Sequence, residues 1–298
     1  MIKLITVILT ALTTGAIYAL MSTALVLVWR STRIINFAQA GQAVLSTYIG
    51  YELTIRSGSF WIGVVSAMAF GALLGAVIDR FFMRPIFKRI QSGPILMIAP
   101  VVATLGLLGI IQSIIGFKWG LTYQSLAAPV STDGYTLFDR VIAFSPFNLL
   151  VVVFATLSML LLTLLFQKTN IGLALRASAH SPEIARLSGI KVDLIRTLGW
   201  ALAGAAGGLA GMLYIPSSYL YPNAMDVLLV FGFVAAVIGG LESLFGAVAG
   251  AMLLGFAISF ATSYVSEKLV FPMAFIMLVV VLLIKPAGIF SSKKSRRD

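Results

Sequence analysis

Residues 141–167 read VIAFSPFNLLVVVFATLSMLLLTLLFQ and contain no charged side chain. Residues 168–196 then read KTNIGLALRASAHSPEIARLSGIKVDLIR, a mixture of charged, polar and apolar side chains. A second charge-free run follows, from residue 197 to residue 225. Because roughly 20 apolar residues cross the hydrocarbon core of a bilayer as an α-helix, this stretch predicts two membrane-spanning helices joined by a polar segment.

The same alternation recurs along the chain, which is 60% hydrophobic and 10% charged, with a mean hydropathy of +1.04. Soluble domains carry about 25% charged residues, so the composition indicates an integral membrane protein. Further long charge-free runs lie between Lys3 and Arg30, Arg56 and Asp79, Arg89 and Lys118, and Glu242 and Glu267. Three runs are shorter: Ile34–Tyr51, Val227–Leu241 and Leu269–Ile284. The middle one also fits a tilted or re-entrant half-helix. We predict an all-α, polytopic transmembrane bundle of about eight to nine spans, forming a single domain over residues 1–298.

The basic residues predict the orientation of this bundle. With nine spans and with residues 168–196 in the cytoplasm, sixteen of the 21 Lys and Arg residues fall on the cytoplasmic side. They lie in the segments 30–33, 80–89, 168–196 and 285–297. The positive-inside rule then places the N-terminus outside and the C-terminus inside. Residues 116–147 become an external loop, and residues 291–298 a basic cytoplasmic tail.

Several kinds of chemistry are absent from the sequence. The chain has no cysteine and one histidine, His180, so it offers no thiol catalysis and no histidine cluster. It lacks the Gly-x-x-x-x-Gly-Lys-Ser/Thr loop that cradles nucleotide phosphates. The acids Asp79, Asp226 and Glu242 stand at the ends of apolar runs, with Asp79 beside Arg80. Because ion-driven carriers place ionisable groups within the membrane, this pattern favours an external driving force. The sequence also shows no paired carboxylates and no nucleophile–histidine constellation, which argues against a membrane enzyme.

Residues 181–190, SPEIARLSGI, predict a short helix with both ends marked. Ser181 is suited to cap the first free amide, and Pro182 fits the first helical position. Gly189 can adopt the left-handed conformation that ends a helix. Three apolar residues recur at three-residue spacing: Ile184, Leu187 and Ile190. We expect this helix to dock on a partner; the alternative is an ordinary capped helix in a connecting loop.

The run beginning at Ile34 is unusually polar. Gln39, Gln42 and Ser46 share one helical face, and Asn36 lies one turn earlier. Uncharged polar groups of this kind could line a translocation pathway for a polar or zwitterionic solute. The alternative is hydrogen bonding between helices, which contributes about 0.6 kcal/mol per pair in membrane proteins.

Small residues four apart predict close helix packing in lipid. They are Gly71 and Gly75, Gly204 and Gly208, Gly207 and Gly211, and Gly246 and Gly250.

Four segments, taken in order, resemble the permease subunits of bacterial ATP-binding-cassette importers for branched-chain amino acids. They are Gly15–Leu20 running on to Arg33–Gln39; Leu175–Ala177 through Glu183, Ala185, Gly189–Ile190 and Asp193; Ala235–Ser243 with Gly246–Val248; and Lys285–Phe290. The second segment is similar to the cytoplasmic loop by which such permeases engage their ATPases. The resemblance therefore implies a coupling surface on five residues: Arg176, Glu183, Ala185, Gly189 and Ile190.

The resemblance also implies the partners. This chain would pair with a homologous permease subunit, two cytoplasmic subunits would bind ATP-Mg, and an extracytoplasmic solute-binding protein would deliver the solute. The chain itself would bind no cofactor and would lie in the bacterial inner membrane. Related permeases import urea, amides or other amino acids, so these solutes stay open, as does a self-sufficient secondary carrier.

Overall fold

A computed structural model describes residues 2–89, 95–137 and 140–290, and these are predominantly α-helical. The helices are α1 (Ile2–Thr32), α2 (Gln39–Ser57), α3 (Phe60–Val77), α4 (Arg84–Arg89), α5 (Ile95–Trp119), α6 (Pro146–Lys168), α7 (Asn170–His180), α8 (Pro182–Leu187), α9 (Val192–Tyr214), α10 (Asp226–Gly239), α11 (Leu244–Tyr264) and α12 (Val270–Ile284). A π-helical segment, Ile78–Met83, joins α3 to α4, and single 3-10 turns follow α9 and precede α12. Two short antiparallel strands, β1 (Thr136–Leu137) and β2 (Arg140–Val141), form the only sheet in the described residues.

The predicted helical membrane bundle is confirmed. Seven helical segments of the described chain are long and apolar enough to cross a membrane: Ile2–Thr32, Phe60–Phe87, Ile98–Trp119, Pro146–Lys168, Val192–Ser217, Leu244–Tyr264 and Glu267–Ile284. The other two predicted runs form α2, which is polar and carries Glu52 and Arg56, and α10, which has 14 residues. A count of eight to nine spans and the orientation stay predictions. The predicted basic tail, 291–298, lies outside the described residues.

Helix α1 is the centre of the bundle. It packs against α11, α9, α10 and α6. Nearly every residue from Gly15 to Val28 is buried. Because this stretch carries no charged side chain, it can be enclosed by other helices on all sides.

Helices α3 and α9 approach each other at their glycines. A Cβ atom added at Gly71 would overlap the carbonyl oxygen of Gly204, and one added at Gly204 would overlap that of Gly71. One turn further along α3, a Cβ at Gly75 would overlap the carbonyl oxygen of Trp200. The close packing predicted for these small residues is confirmed, and it fixes α9 directly against α3.

Two of the segments that carry the family resemblance are in contact. The amides of Ile289 and Phe290 donate to the carbonyl oxygens of Ile238 (2.9 Å) and Gly239 (3.1 Å). The chain after α12 is therefore hydrogen-bonded to the C-terminal end of α10, just before the turn into α11.

The predicted external loop runs from the end of α5 to the start of α6. Ser145 is the N-cap of α6, and its Oγ accepts a hydrogen bond from the amide of Asn148 at 3.2 Å. Gln124 forms an antiparallel bridge to Leu220, which follows α9. This loop is thereby attached to the ends of the central helices.

Candidate coupling surface and polar face

The polar segment 168–196 is mostly helical. Helix α7 begins after Thr169, whose Oγ1 accepts the amide of Gly172 at 3.1 Å. Helix α8 follows it after one residue, and α9 begins at Val192. The segment is therefore a compact unit that connects α6 to α9.

The end signals of α8 are confirmed in part. Pro182 occupies the first turn, and Gly189 has φ +81°, the left-handed conformation predicted for it. The amide of Ile190 donates to the carbonyl of Ala185 at 3.0 Å and closes the helix end. The predicted role of Ser181 is wrong in one respect: it stands at the N-cap, but its side chain forms no capping hydrogen bond.

The apolar residues of α8 divide into an anchored set and an exposed set. Ala185 is 3% exposed, and Ile190 packs against the hydrophobic core. Ile184 and Leu187 are 64% and 89% exposed. Because a large apolar side chain in water is unfavourable, the exposed pair gives α8 an apolar face that the described residues leave uncovered.

The five predicted coupling residues lie together on this unit but differ in exposure. Arg176 on α7 and Glu183 on α8 are exposed, and neither forms an ion pair within the described part of the chain. Ala185 and Ile190 instead hold α8 to the bundle, and Gly189 sets the turn. Contact with an ATPase stays a prediction for all five.

The polar face predicted for the second run lies entirely inside the subunit. All four of its residues, Asn36, Gln39, Gln42 and Ser46, have no exposed surface. Nε2 of Gln39 donates to the carbonyl oxygen of Ala203 on α9 at 3.0 Å, and Nδ2 of Asn36 donates to Oε1 of Gln39 at 3.2 Å. Oγ of Ser46 donates to the carbonyl of Gln42 within α2 at 2.6 Å.

Gln42 differs from its neighbours. Neither its Oε1 nor its Nε2 has a hydrogen-bond partner, although the side chain is fully buried. Oδ1 of Asn36 is also without one. An unpaired buried polar group costs about 1–3 kcal/mol, so these amides are the members of the face with unmet hydrogen-bonding capacity.

Asp79 has a role that the sequence did not indicate. Its carboxylate has no exposed surface and is paired with Arg84 and Arg196 rather than with the adjacent Arg80. One signal in the sequence was available, since Arg196 closes the polar segment just where the next apolar run begins. Among the described residues, no group of three His, Cys, Asp or Glu side chains could hold a metal ion.

Comparison with known proteins agrees with this architecture. The family model described as "Branched-chain amino acid transport system / permease component" matches residues 7–284. The probable branched-chain amino acid transport permease protein LivH of Methanocaldococcus jannaschii is 31% identical over 285 residues, covering 91% of this chain and 87% of that protein. The high-affinity branched-chain amino acid transport system permease protein LivH of Escherichia coli K12 is 27% identical over 296 residues, covering 93% and 92%.

A solved structure supports the fold. PsaBC from Streptococcus pneumoniae in complex with Fab aligns with a TM-score of 0.52 and 15% identity, covering 96% of this chain and 92% of that one. The family consists of transport subunits rather than enzymes, and membership implies ATPase subunits, a second permease and a solute-binding protein as partners. On the family match and the full-length relatives, the chain belongs to the permease components of branched-chain amino acid transport systems.

Proposed function

We propose that this chain forms half of the translocation pathway of an ATP-binding-cassette importer, with a homologous permease subunit forming the other half. Its solute is a branched-chain amino acid or a related small polar molecule, as the names of its relatives suggest. We place the protein in the bacterial inner membrane, with its N-terminus outside.

The driving force comes from other subunits. The sequence contains no phosphate-binding loop, so two cytoplasmic subunits bind and hydrolyse ATP-Mg. An extracytoplasmic protein captures the solute and delivers it to the external side. ATP-driven closure of the two cytoplasmic subunits moves α8, and the bundle alternates between outward and inward openings.

The observation that carries this proposal is the exposed apolar face of α8. Leu187 and Ile184 project from a six-residue helix whose position is fixed through Ala185 and Ile190. So short a helix is not stable alone in water, and an exposed leucine contributes nothing to its anchoring. A helix that is fixed to the bundle and exposes an apolar side chain such as Leu187 can insert into a groove of a partner.

The polar face of α2 is our candidate for the pathway, and Gln42 is its central member. An amide that lacks partners in the closed bundle gains them when water or a polar solute enters beside it. Gln39 is bonded to α9, so it also joins helices. Asn36 and Ser46 extend the same face towards the two ends of this stretch.

Reconstitution tests the proposal. Proteoliposomes that contain the complete complex should import labelled leucine only with ATP and the binding protein. Leu187→Asp should abolish binding of the ATPase subunits without changing the melting temperature of the permease. Leu121→Asp is the matched control, because Leu121 is 77% exposed on the predicted external loop; this variant should bind the ATPases normally.

Two results would reject the proposal. Uptake by this chain alone without ATP would identify a self-sufficient carrier. Normal binding of the ATPase subunits by Leu187→Asp would show that α8 does not contact them.

A further inference from the structure

A buried charge cluster joins the π-helical segment after α3 to the first turn of α9. Oδ1 of Asp79 accepts a hydrogen bond from Nε of Arg196 at 2.8 Å. Its Oδ2 accepts hydrogen bonds from Nε of Arg84 at 3.2 Å and from the hydroxyl of Thr197 at 2.6 Å. Both oxygens are therefore satisfied, as a carboxylate with no exposed surface requires.

The cluster also holds the backbone at the start of α9. Nη2 of Arg84 donates to the carbonyl oxygen of Asp193 at 2.5 Å and to the hydroxyl of Thr197. Arg196 in turn stacks over the ring of Phe87 on α4 at 5.2 Å. The first turn of α9 is thus bonded to α4 as well as to the end of α3.

The π-helical geometry makes this arrangement possible. Asp79 and Arg84 are five residues apart, and in an α-helix they would point about 140° away from each other. In the π-helical segment the amide of Arg84 bonds the carbonyl of Asp79, which brings the two side chains to the same side. Single π-helical turns of this kind are frequent at functional sites.

The position of the cluster links it to α8. Four residues separate the end of α8 at Leu187 from the start of α9 at Val192. Arg186 of α8 pairs with Asp193 of α9 at 3.4 Å. A displacement of α8 therefore acts directly on the turn of α9 that Arg84 and Asp79 hold.

Beyond the cluster, the backbones of α3 and α9 stay in close contact. The two backbones touch at Gly71 and Gly75, so a local separation of the helices would lose this packing. Since α9 also packs along α1 and α2, movement of this pair reaches the polar face of α2 through the bond from Gln39 to Ala203.

We propose that Asp79 is a positioning residue for energy coupling, because it locks the first turn of α9 to the π-helical segment that follows α3, so that both helices follow α8 together. This inference rests on the proposed function, since it takes α8 as the element moved by the ATPases. Without the contacts of Asp79, movement of α8 bends the start of α9 instead of shifting α3 and α9 together.

The test is the number of solute molecules imported per ATP hydrolysed by the reconstituted complex. Asp79→Asn keeps the shape of the side chain and removes its charge. We expect this ratio to fall at least tenfold, with basal ATP hydrolysis within about twofold of the wild type. Thr197→Val removes the hydrogen bonds of its hydroxyl with Asp79 and with Arg84 at nearly constant volume, and it should give a smaller loss in the same direction.

Lys118→Gln provides the control, because it removes a partly exposed ion pair to Glu52 at 3.9 Å near the opposite end of the bundle. Its ratio should match the wild type. If Asp79→Asn fails to assemble, Thr197→Val decides the question. A normal ratio in the assembled variant overturns the inference, and so does a parallel fall in import and hydrolysis that follows the amount of assembled complex. Absence of ATP-driven import in the wild type would instead reject the proposed function.

Discussion

Nη1 of Arg33 lies 2.5 Å from Oε1 of Glu242, so an ion pair ties the end of α1 to the turn between α10 and α11. Among the described residues, Arg33 is the only non-glycine residue with positive φ, at +59°. The two side chains are 47% and 61% exposed, and exposed pairs contribute about 0–1 kcal/mol. The left-handed backbone costs a non-glycine residue roughly 1–2 kcal/mol. The turn that directs the chain from α1 into α2 is therefore maintained by the surrounding bundle rather than by this pair.

This balance predicts the effect of substitutions at Arg33. Arg33→Gly removes the pair and the backbone strain together, so the free energy of unfolding should stay within about 1 kcal/mol of the wild type. Arg33→Val loses the pair and keeps a β-branched residue in the left-handed region, so it should be less stable by about 2 kcal/mol. Unfolding of the purified chain in detergent measures both. Glu242→Gln isolates the pair, and a loss above about 1 kcal/mol there would contradict this account.

The close approach of α3 and α9 predicts a strong effect of one methyl group. Gly71→Ala places its Cβ against the carbonyl oxygen of Gly204, and overpacking of this kind costs typically 1–3 kcal/mol. Gly106→Ala on α5 is the matched control, because a Cβ there has no atom within 4 Å. It should be neutral or stabilising by up to about 1 kcal/mol, since alanine favours a helix. Equal melting temperatures for the two variants would show that the α3–α9 contact is not tight.

The turn after α8 can be separated from general backbone strain. Gly189 and Gly58 have similar positive φ values, +81° and +67°, and neither has an atom within 4 Å of an added Cβ. Gly189→Val and Gly58→Val should therefore lose similar stability. Only Gly189→Val should lower solute-stimulated ATP hydrolysis in the assembled complex, because Gly58 lies in the turn between α2 and α3. Equal losses of stimulated hydrolysis would argue against α8 as the coupling element.

The two glutamines of α2 should behave differently. Gln39→Ala removes the bond to Ala203 and should lower the stability of the bundle by about 1 kcal/mol. Gln42→Ala removes an amide that has no partner, so its melting temperature should fall less than that of Gln39→Ala. If Gln42 lines the pathway, import per assembled complex should change in rate or selectivity. Unchanged import in Gln42→Ala would leave this face with a packing role alone.

The helices could be predicted because their determinants are local. Each charge-free run became a helix, since the backbone must satisfy its own hydrogen bonds in lipid. The left-handed turn at Gly189 was predicted for a similar reason: it depends on the conformational freedom of one residue. The paired glycines also predicted close packing, although they did not identify α9 as the partner of α3.

The contacts of Asp79 could not be predicted in the same way. One partner, Arg196, is 117 residues away, and the other, Arg84, is brought near by the π-helical segment between α3 and α4. Ser181 occupies the expected position without making the expected bond, because its side chain is one of several groups that can serve the end of a short helix. The hydrogen-bond partners of Gln39 and Gln42 depend on which helix faces α2, and the periodicity of α2 alone does not contain that information.

The enclosure of α1 has a consequence for synthesis of the protein. Helix α1 is synthesised before α9, α10 and α11, which cover much of it and begin at residue 192 or later. Until they are made, lipid acyl chains must surround α1. The absence of charged residues between Lys3 and Arg30 permits this, because a helix without charged side chains is tolerated by the bilayer in any rotation. The hydroxyl of Ser22 then reaches its partner, the carbonyl of Ala247 at 3.4 Å, only when α11 arrives. During assembly, α9, α10 and α11 therefore replace the lipid that first surrounds α1. A chain truncated before α9 should insert α1 into the membrane without enclosing it.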